Sequence, residues 1–303
     1  MRLLIYTHEF PPFRGGAGVY SYDLAVGLKA LGQVVHVVTP RQPRGRRGEP
    51  EVARNQRFQM HYLEPWQMRP GVARLFLAWL CLRYRIDRVL VTERCAQETV
   101  AGMGSVPFRY VAILHGTEVL QYFRDECVAC AVSPALMRCF YRHADICIAV
   151  SDATRRLAEQ LLDDGRVRLE SVQNGIDSDR LPDAPDEDIA QLRRRHGADS
   201  QFAFCLGRLG PDKGQDVLIR AFARVARECP KARLLIAGDG PTRDSLVELR
   251  DQLALADRVQ LLGEIPSALL PSYFSVCDLF VLPSRCESRW EGFGLVYLEA
   301  AYY

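Results

Sequence analysis

The sequence has no long hydrophobic run, almost no net charge, and no low-complexity tract or short repeat. Its strongest apolar stretch, residues 75–82, lies between Arg74 and Arg83 and is far too short to span a bilayer. A net charge of +2 over 303 residues gives no argument for nucleic-acid binding. At the N-terminus only residues 3–6 are apolar before His8, which is not typical of a secretory signal. These absences predict a cytoplasmic protein.

The cysteines do not form a complete metal-binding pattern. There are 10 cysteines, and in a reducing cytosol most cysteines are small buried hydrophobic residues. Cys127 and Cys130 form one C-x-x-C, followed by Cys139 and by His143 on the same helical face. A structural zinc site needs four ligands, so plain thiols are the favoured interpretation and a zinc site is the alternative.

Basic residues cluster at one place, which contains the four arginines Arg41, Arg44, Arg46 and Arg47. Proline and glycine are interspersed among them, which favours a surface loop. Contact with anionic lipid or a phosphorylated acceptor is the alternative.

Strand-like apolar segments alternate with helix-like segments along the chain. The first series has strands at residues 3–7, 34–39, 88–92, 110–114 and 146–150, with a helix at residues 19–31 that Gly32 ends. After a Pro/Asp-rich linker at residues 182–188, a second series has strands at residues 202–206, 233–237, 259–262 and 279–282 and helices at residues 215–228, 242–253 and 267–276. The acidic residues 186–188 suit a helix N-terminus.

This alternation predicts an α/β protein with two doubly wound Rossmann-like domains facing a cleft, residues 1–181 and residues 196–303. Only four strands are countable in the second domain, which predicts the strand order 3-2-1-4 and an incomplete sheet. The strand at residues 279–282 is then an uncovered edge.

Two cations follow the first predicted strand of the second domain. Arg208 and Lys213 lie where an open α/β sheet binds its ligands, at the carboxyl end of a strand. A guanidinium fork and an ammonium point charge both suit phosphate oxygens. A pair of surface residues on a loop is the alternative.

Two carboxylates, Glu291 and Glu299, stand near the C-terminus on either side of a helix-like run. Ionised carboxylates accept the hydrogen bonds of vicinal diols, as found in a sugar or a ribose. Gly292 and Gly294 let the backbone approach a ligand closely, and a helix that begins after Gly294 directs its N–H groups at an anion. The arrangement suits a sugar attached to a diphosphate, and helix capping and solvation are the alternative roles.

Further candidates lie in the first domain. Gly15 and Gly16 open the first helix and can present backbone amides to a phosphate or an acceptor. His115 follows a strand and is a candidate for the active site or for a structural role. Glu118 and Asp152 are candidates for acceptor contact or for helix capping.

The order of the short motifs carries more information than any one of them. In chain order they are Glu9-Phe10-Pro11-Pro12 with Gly15-Gly16, His115-Gly116-Thr117-Glu118, Val150-Ser151-Asp152, Asn174-Gly175-Ile176-Asp177, Gly207-Arg208-Leu209 with Lys213-Gly214, Ala237-Gly238-Asp239-Gly240, and Pro283-Ser284-Arg285 before the two glutamates. Together they resemble the retaining, nucleotide-sugar-dependent glycosyltransferases of the GT-B type known as group 1 or family four.

The resemblance implies an enzyme that moves a hexose from a nucleoside diphosphate sugar to an acceptor hydroxyl with retention of configuration, in glycolipid, polysaccharide or glycoconjugate synthesis. Residues 207–216 are similar to bacterial mannosyltransferases that use GDP-mannose, which favours mannose. The implied catalytic residues are His115, Arg208, Lys213 and Glu291. The implied donor-binding residues are Gly16, Gly207, Arg208, Lys213, Gly238, Glu291, Gly292, Phe293, Gly294 and Glu299, and the acceptor-binding residues are Gly15 and Glu118.

Within this resemblance Glu291 holds the transferred sugar and Glu299 the nucleotide ribose. Two D-x-D patterns, at Asp177 and Asp179 and at Asp186 and Asp188, raise the alternative of a divalent cation. Positive side chains already fill the role of that cation, so no metal and no other cofactor is expected.

Two further expectations concern the partners and the end of the chain. The basic and aromatic residues 66–85 suit either a core helix with snorkelling arginines or contact with the inner face of a membrane. Members of the family continue past the second glutamate, so the resemblance implies a C-terminally truncated chain. The alternatives to a transferase are an inactive remnant that at most binds nucleotide and a GT-B nucleotide-sugar epimerase.

Overall fold

The computed structural model describes residues 1–11, 15–41, 58–124, 131–162, 165–178, 181–285 and 290–303. It divides into two compact units. Unit 1 comprises Met1–Asp177 together with Trp290–Phe293, and unit 2 comprises Ser178–Arg289 together with Gly294–Tyr303.

Unit 1 contains a seven-stranded parallel sheet of order β3-β2-β1-β4-β5-β6-β7. Its strands are β1 Arg2–Tyr6, β2 Val34–Pro40, β3 Gln59–Leu63, β4 Arg88–Val91, β5 Tyr110–Leu114, β6 Ile146–Ala149 and β7 Leu169–Ser171. The central strands are near-continuous apolar runs because helices cover both faces of such a sheet. Every residue of β5 is buried.

Helices connect these strands. They are α1 Gly16–Ala30, α2 Pro70–Tyr84, α3 Arg94–Gly102, α4 Thr117–Phe123, α5 Pro134–His143 and α6 Asp152–Leu162. The α3 helix is capped by the buried carboxylate of Glu93, which accepts hydrogen bonds from the amides of Cys95 and Ala96. Such caps satisfy the amides that the first turn of a helix leaves without partners.

Unit 2 contains a four-stranded parallel sheet of order β10-β9-β8-β11. Its strands are β8 Gln201–Leu206, β9 Ala232–Ala237, β10 Val259–Gly263 and β11 Leu279–Phe280. Its helices are α7 Asp186–His196, α8 Gln215–Glu228, α9 Arg243–Gln252, α10 Leu270–Val276 and α11 Leu295–Tyr302.

The predicted α/β class is confirmed, as is the 3-2-1-4 order of the second sheet. Two strands of the first sheet, β3 and β7, were not predicted. The first helix begins at Gly16, three residues before its predicted start, because an extended Gly15 precedes it as N-cap. The stretch predicted as a linker ends in the first turn of α7, whose acidic residues 186–188 lie at the N-terminus as expected. Strand β11 has two residues rather than the predicted four.

Several predictions fall on residues outside the described ranges. These residues are Arg44, Arg46, Arg47, Cys127, Cys130 and Asp179. The neighbouring Arg41 is described, and its Nε lies 2.6 Å from Oε1 of Glu64. Among the helices of the described ranges, none has the length and apolar character needed to cross a membrane.

Candidate functional site

The loop between β1 and α1 brings acidic and glycine residues together. Among the described residues, a Cβ on Gly16 would meet no atom within 4 Å. Glu9 lies nearby and accepts a backbone hydrogen bond from Gly18. Burial, together with the charge of Glu93, raises the pKa of Glu9, and the bond from Gly18 opposes that rise.

His115 lies directly after β5, where its ring is held from two sides. Its Nε2 is 2.8 Å from the backbone oxygen of Thr92. Because a carbonyl oxygen only accepts, Nε2 must carry a proton in this arrangement. The edge of Tyr20 meets the His115 ring at an interplanar angle of 89° and a centroid distance of 5.0 Å. The tautomer and the orientation of His115 are therefore both fixed.

Glu118 points into the protein rather than towards solvent. It is 3% exposed, and its Oε1 accepts hydrogen bonds from the amides of His115 at 2.6 Å and Gly116 at 3.1 Å. The carboxylate therefore fixes the backbone that leads into α4. Asp152 is exposed, and the side chain that caps α6 is Ser151, whose Oγ accepts the Thr154 amide at 3.1 Å.

Residues 290–293, which we call the anchor segment, return to unit 1 from the far end of the chain. The hydroxyl groups of Thr117, Ser151 and Thr154 bind it. A Cβ on Gly292 would meet the backbone oxygen of His115, so this glycine is required for close approach within the protein. Phe293 packs on the apolar cluster around Ile5. Glu291 is thereby carried on unit 1, in the same segment that contacts the His115 backbone.

In unit 2, two predicted cations surround one buried carboxylate. Arg208 follows β8 and forms an ion pair with Asp212, which is 8% exposed. Burial alone would raise the pKa of Asp212, but the hydrogen bond from Arg208 and the charges of Arg208 and Lys213 bring it below its ordinary value. Arg208 and Lys213 therefore share a small region of positive charge on the loop before α8.

Glycines allow the loops of unit 2 to pack backbone against backbone. Gly238 has φ of +124°, and a Cβ there would meet the Gly207 oxygen. Gly240 has φ of +156°, and a Cβ there would meet the Leu209 oxygen. These contacts explain Gly238 and Gly240 within the protein itself. They bring the loops after β8 and β9 together beside Arg208.

A third cation, Arg285, joins this loop and was not among the predicted site residues. Its amide donates to the backbone oxygen of Asp212 at 2.7 Å, and its guanidinium donates to the carboxylate of Asp216 at 2.6 Å. Gly214, with φ of +68°, lies against the Pro283 oxygen. The sequence contained a signal for Arg285, because it follows the last strand of the predicted sheet as Arg208 follows the first.

Glu299 lies on α11 in unit 2. The helix begins after Gly294, which has φ of +73°. Tyr297 fixes the helix to the sheet by donating its hydroxyl to the Leu282 oxygen and by meeting the Phe280 ring edge-on at 5.7 Å. Glu299 is half-buried and lies about one helical turn after Leu295 and Val296.

Within the described ranges, no group of three or more His, Cys, Asp and Glu side chains is arranged to hold a metal ion. Cys139 Sγ lies 3.5 Å from Nδ1 of His143 on the exposed face of α5. Asp186 and Asp188 lie in the first turn of α7.

Models of known protein families match residues in both units. The model of the family described as Glycosyltransferase Family 4 matches residues 14–180, and that of Glycosyl transferases group 1 matches residues 188–303. A GDP-mannose-dependent alpha-(1-6)-phosphatidylinositol monomannoside mannosyltransferase from Mycolicibacterium smegmatis is 32% identical over 99% of this chain and 78% of its own length. The chain belongs to glycosyltransferase family 4.

The glycosyltransferase also resembles the protein of that same name from Mycobacterium tuberculosis, at 28% identity over 99% of this chain and 78% of that protein. Among solved structures it resembles Anabaena HepE in complex with UDP, with a TM-score of 0.73, 22% identity, and coverage of 99% of this chain and 78% of that chain. Sucrose-phosphate synthase from Thermosynechococcus elongatus gives a TM-score of 0.73 at 18% identity, with coverage of 99% and 78%. Both structures establish the two-domain Rossmann-like GT-B fold.

Proposed function

We propose that this glycosyltransferase moves a hexose, with mannose the favoured sugar, from a nucleoside diphosphate sugar to an acceptor hydroxyl with retention of configuration. The proposal assigns the diphosphate to Arg208 and Lys213. It assigns the hydroxyls of the sugar to Glu291 and those of the ribose to Glu299. No metal or other cofactor is required, because fixed cations compensate the charge of the phosphates.

The observation that carries the proposal is the placement of Glu291. The segment that holds this carboxylate is hydrogen-bonded to Thr117 and packs against the backbone of His115, whose ring is fixed by Thr92 and Tyr20. A carboxylate on such a fixed segment presents two acceptor oxygens to a polyhydroxylated ligand. Such an arrangement suits a sugar better than it suits an apolar substrate.

The chemical role of Arg208 and Lys213 follows from the bond that breaks. When the sugar leaves the diphosphate, negative charge increases on the departing phosphate oxygen. Cations held in place before the reaction stabilise this charge without having to reorganise, which is usually the largest electrostatic contribution to catalysis. The pairing of Arg208 with Asp212 supports the proposal because it fixes the guanidinium in advance.

The preference for mannose rests on relatives rather than on geometry. The two mycobacterial proteins are named for GDP-mannose, whereas the Anabaena structure was solved with UDP. Retention and a glycolipid acceptor have the same kind of support, from the names of relatives and from the family.

A direct test incubates the purified chain with GDP-mannose and with UDP-glucose, and measures binding by calorimetry and nucleotide release in the presence of phosphatidylinositol mannoside. We expect binding and acceptor-dependent release with GDP-mannose, a product whose NMR coupling shows an α-linkage, and loss of release in Lys213→Ala and Glu291→Gln. Conversion of the donor without acceptor would indicate an epimerase. Failure to bind either donor would contradict the proposal.

The exposed face of α2 supports the proposal that the acceptor is a membrane lipid. One face of the helix is buried through Ala73, Leu77 and Leu80. The opposite face exposes Leu75 at 72%, Trp79 at 54% and Leu82 at 82%. These residues are spaced four and three apart and so form one stripe.

The apolar stripe is flanked by charge of one sign. Arg74 and Arg83 lie next to its ends and are exposed. An apolar stripe with arginines beside it is complementary to a surface of anionic lipid, where the side chains enter the headgroup region and the guanidinium groups meet phosphates. The proposal therefore places α2 on an anionic membrane surface.

Vesicle flotation tests this placement. We expect the chain to float with vesicles that contain phosphatidylinositol, to remain unbound with pure phosphatidylcholine, and to lose binding in a Leu75→Ser/Leu82→Ser variant. Val225→Ser, which removes an exposed apolar residue of unit 2, is the matched control. Equal flotation of all variants, or a dimer in sedimentation that the Leu75→Ser/Leu82→Ser change dissolves, would contradict membrane docking.

A further inference from the structure

The anchor segment is bonded to unit 1 on both sides of Glu291. Before the glutamate, the Trp290 amide donates to Thr117 Oγ1 at 3.2 Å, and the same hydroxyl donates to the Trp290 oxygen at 3.1 Å. After it, the Gly292 oxygen accepts from Ser151 at 2.6 Å and from Thr154 at 3.2 Å. The backbone of Glu291 is therefore fixed at each end by hydroxyls from the N-termini of α4 and α6.

The indole of Trp290 makes a further connection. Its Nε1 donates to Thr154 Oγ1 at 3.1 Å, and Thr154 is fully buried. The ring lies against Gly116, where a Cβ would fall 2.9 Å from two of its atoms. Glycine at position 116 thus makes room for the indole immediately beside His115.

The protons of this network fit one arrangement. Each hydroxyl has one proton, and each of the three donates it to a carbonyl of the anchor segment. Thr154 then has a lone pair for the indole N–H, and Ser151 has one for the Thr154 amide. A buried network with all members satisfied is rigid, and the loss of one member leaves the others without partners.

We infer that Trp290 is a positioning residue for Glu291, acting through Thr154 and through its seat against Gly116. Trp290 does not need to contact a substrate to do so. The inference rests on the proposed function, in which the Glu291 carboxylate binds the sugar of the donor. A carboxylate must be held to within a fraction of an ångström to bind hydroxyls productively, and side chains that lie behind the binding group provide that accuracy.

The binding test separates the sugar from the nucleotide. Calorimetry is performed with GDP and with GDP-mannose, and the ratio of the two dissociation constants measures the contribution of the sugar. We expect Trp290→Phe, which keeps a ring and loses the N–H, to weaken GDP-mannose binding about threefold and Trp290→Ala about tenfold, with GDP binding unchanged. An equal loss for both ligands would overturn the inference, because it would indicate a general structural role.

A double-mutant cycle tests whether Trp290 acts through Glu291. In the Glu291→Gln background we expect Trp290→Ala to cause little further loss of GDP-mannose affinity, since the group that it positions is already altered. Losses that simply multiply would show that the two residues act independently. Thr99→Val is the control, because it removes another buried hydroxyl from unit 1 that donates to the Cys95 oxygen at 2.8 Å. It should leave the ratio of the two constants as in the wild type.

A second measurement does not depend on a donor. Thr154→Val removes the partner of the indole and one donor to Gly292, so we expect faster hydrogen exchange at the amides of the anchor segment and unchanged exchange in β5. Unchanged exchange in the segment would overturn the inference. If Glu291→Gln instead leaves the binding of GDP-mannose unaffected, the proposed function fails, and hydrogen exchange still decides whether Trp290 and Thr154 fix the segment.

Discussion

Backbone conformation and packing both restrict position 116 of unit 1 to glycine. Its φ of +98° is unfavourable for any residue with a Cβ, and its Cα faces the Trp290 ring. We expect Gly116→Ala to lower the free energy of unfolding by about 3 kcal/mol, through strain and displacement of the indole. Urea unfolding followed by circular dichroism measures the change.

Gly104→Ala is the matched control. Gly104 also has a positive φ, of +69°, but a Cβ there would meet no atom within 4 Å. Only the strain of the left-handed conformation applies, so the loss should be about 1 kcal/mol. Equal losses in the two variants would show that the Trp290 contact adds nothing.

The sequence indicated which residues carry charge near the site, but not what fixes them. His115 and Arg208 follow predicted strands and Glu291 precedes a pair of glycines, and these local patterns are visible along the chain. The partners of the anchor segment are not, because Thr117 and Trp290 are 173 positions apart. Threonine and serine at helix N-termini are explained by capping alone, so their second role becomes apparent only from the tertiary structure.

At the scale of elements, the central strands of the first sheet were predicted and its two edge strands were missed, whereas both edge strands of the second sheet, β10 and β11, were predicted. The buried strands β1, β4 and β5 read as apolar runs because both faces are covered. Strand β3, with the sequence QMHYL, is partly exposed and sits at the edge of the sheet. Strand β7 has three residues and no apolar run. Short edge strands are defined by their pairing partners more than by their own composition.

The pairing of β2 with β3 places two histidines against each other. His36 Nδ1 lies 3.0 Å from His61 Nε2, their rings stack at 5.3 Å, and Tyr84 of α2 lies 4.6 Å from the His36 ring. Burial, followed by the charges of His61 and Arg2, lowers the pKa of His36 to about 4. One ring of the pair must remain neutral to accept the hydrogen bond of the other.

This depressed pKa predicts that unit 1 loses stability in mild acid. In the unfolded chain His36 binds a proton near its ordinary pKa of 6.5, whereas in the folded protein it does so only near about 4. Between these values the unfolded state binds more protons, so stability rises with pH, and about 2 kcal/mol should be lost between pH 8 and pH 5. Urea unfolding at a series of pH values measures this slope.

His36→Phe should flatten the dependence over that window, because it keeps a buried ring and removes the titrating group. His143→Gln, at an exposed position of α5, should leave it as in the wild type. The same slope in the wild type and in His36→Phe would mean that other groups cause the loss in acid.

For the whole molecule, the decisive property is that each unit has its own core. The apolar clusters around β1 to β6 belong to unit 1, and those around β8 to β10 belong to unit 2. All 3 tryptophans, Trp66, Trp79 and Trp290, belong to unit 1. Tryptophan fluorescence therefore reports the unfolding of unit 1 alone, while calorimetry reports both units.

This asymmetry allows the proposed roles of Arg208, Lys213 and Glu291 in donor binding to be tested by heating. A ligand at about 100 times its dissociation constant adds about 2.7 kcal/mol to the stability of the folded form that binds it. If Arg208 and Lys213 bind the diphosphate, GDP should raise the calorimetric transition of unit 2 and leave the fluorescence midpoint almost unchanged. GDP-mannose should raise both, because its sugar also engages Glu291 on the anchor segment.

Variants locate each effect within this experiment. Lys213→Ala should abolish the shift of unit 2 with either ligand, and Glu291→Gln should abolish only the fluorescence shift that GDP-mannose produces. An equal rise of both transitions with GDP would contradict the prediction, because the units would then unfold as one cooperative body. A fluorescence shift with GDP-mannose that persists in Glu291→Gln would show that this carboxylate does not bind the sugar.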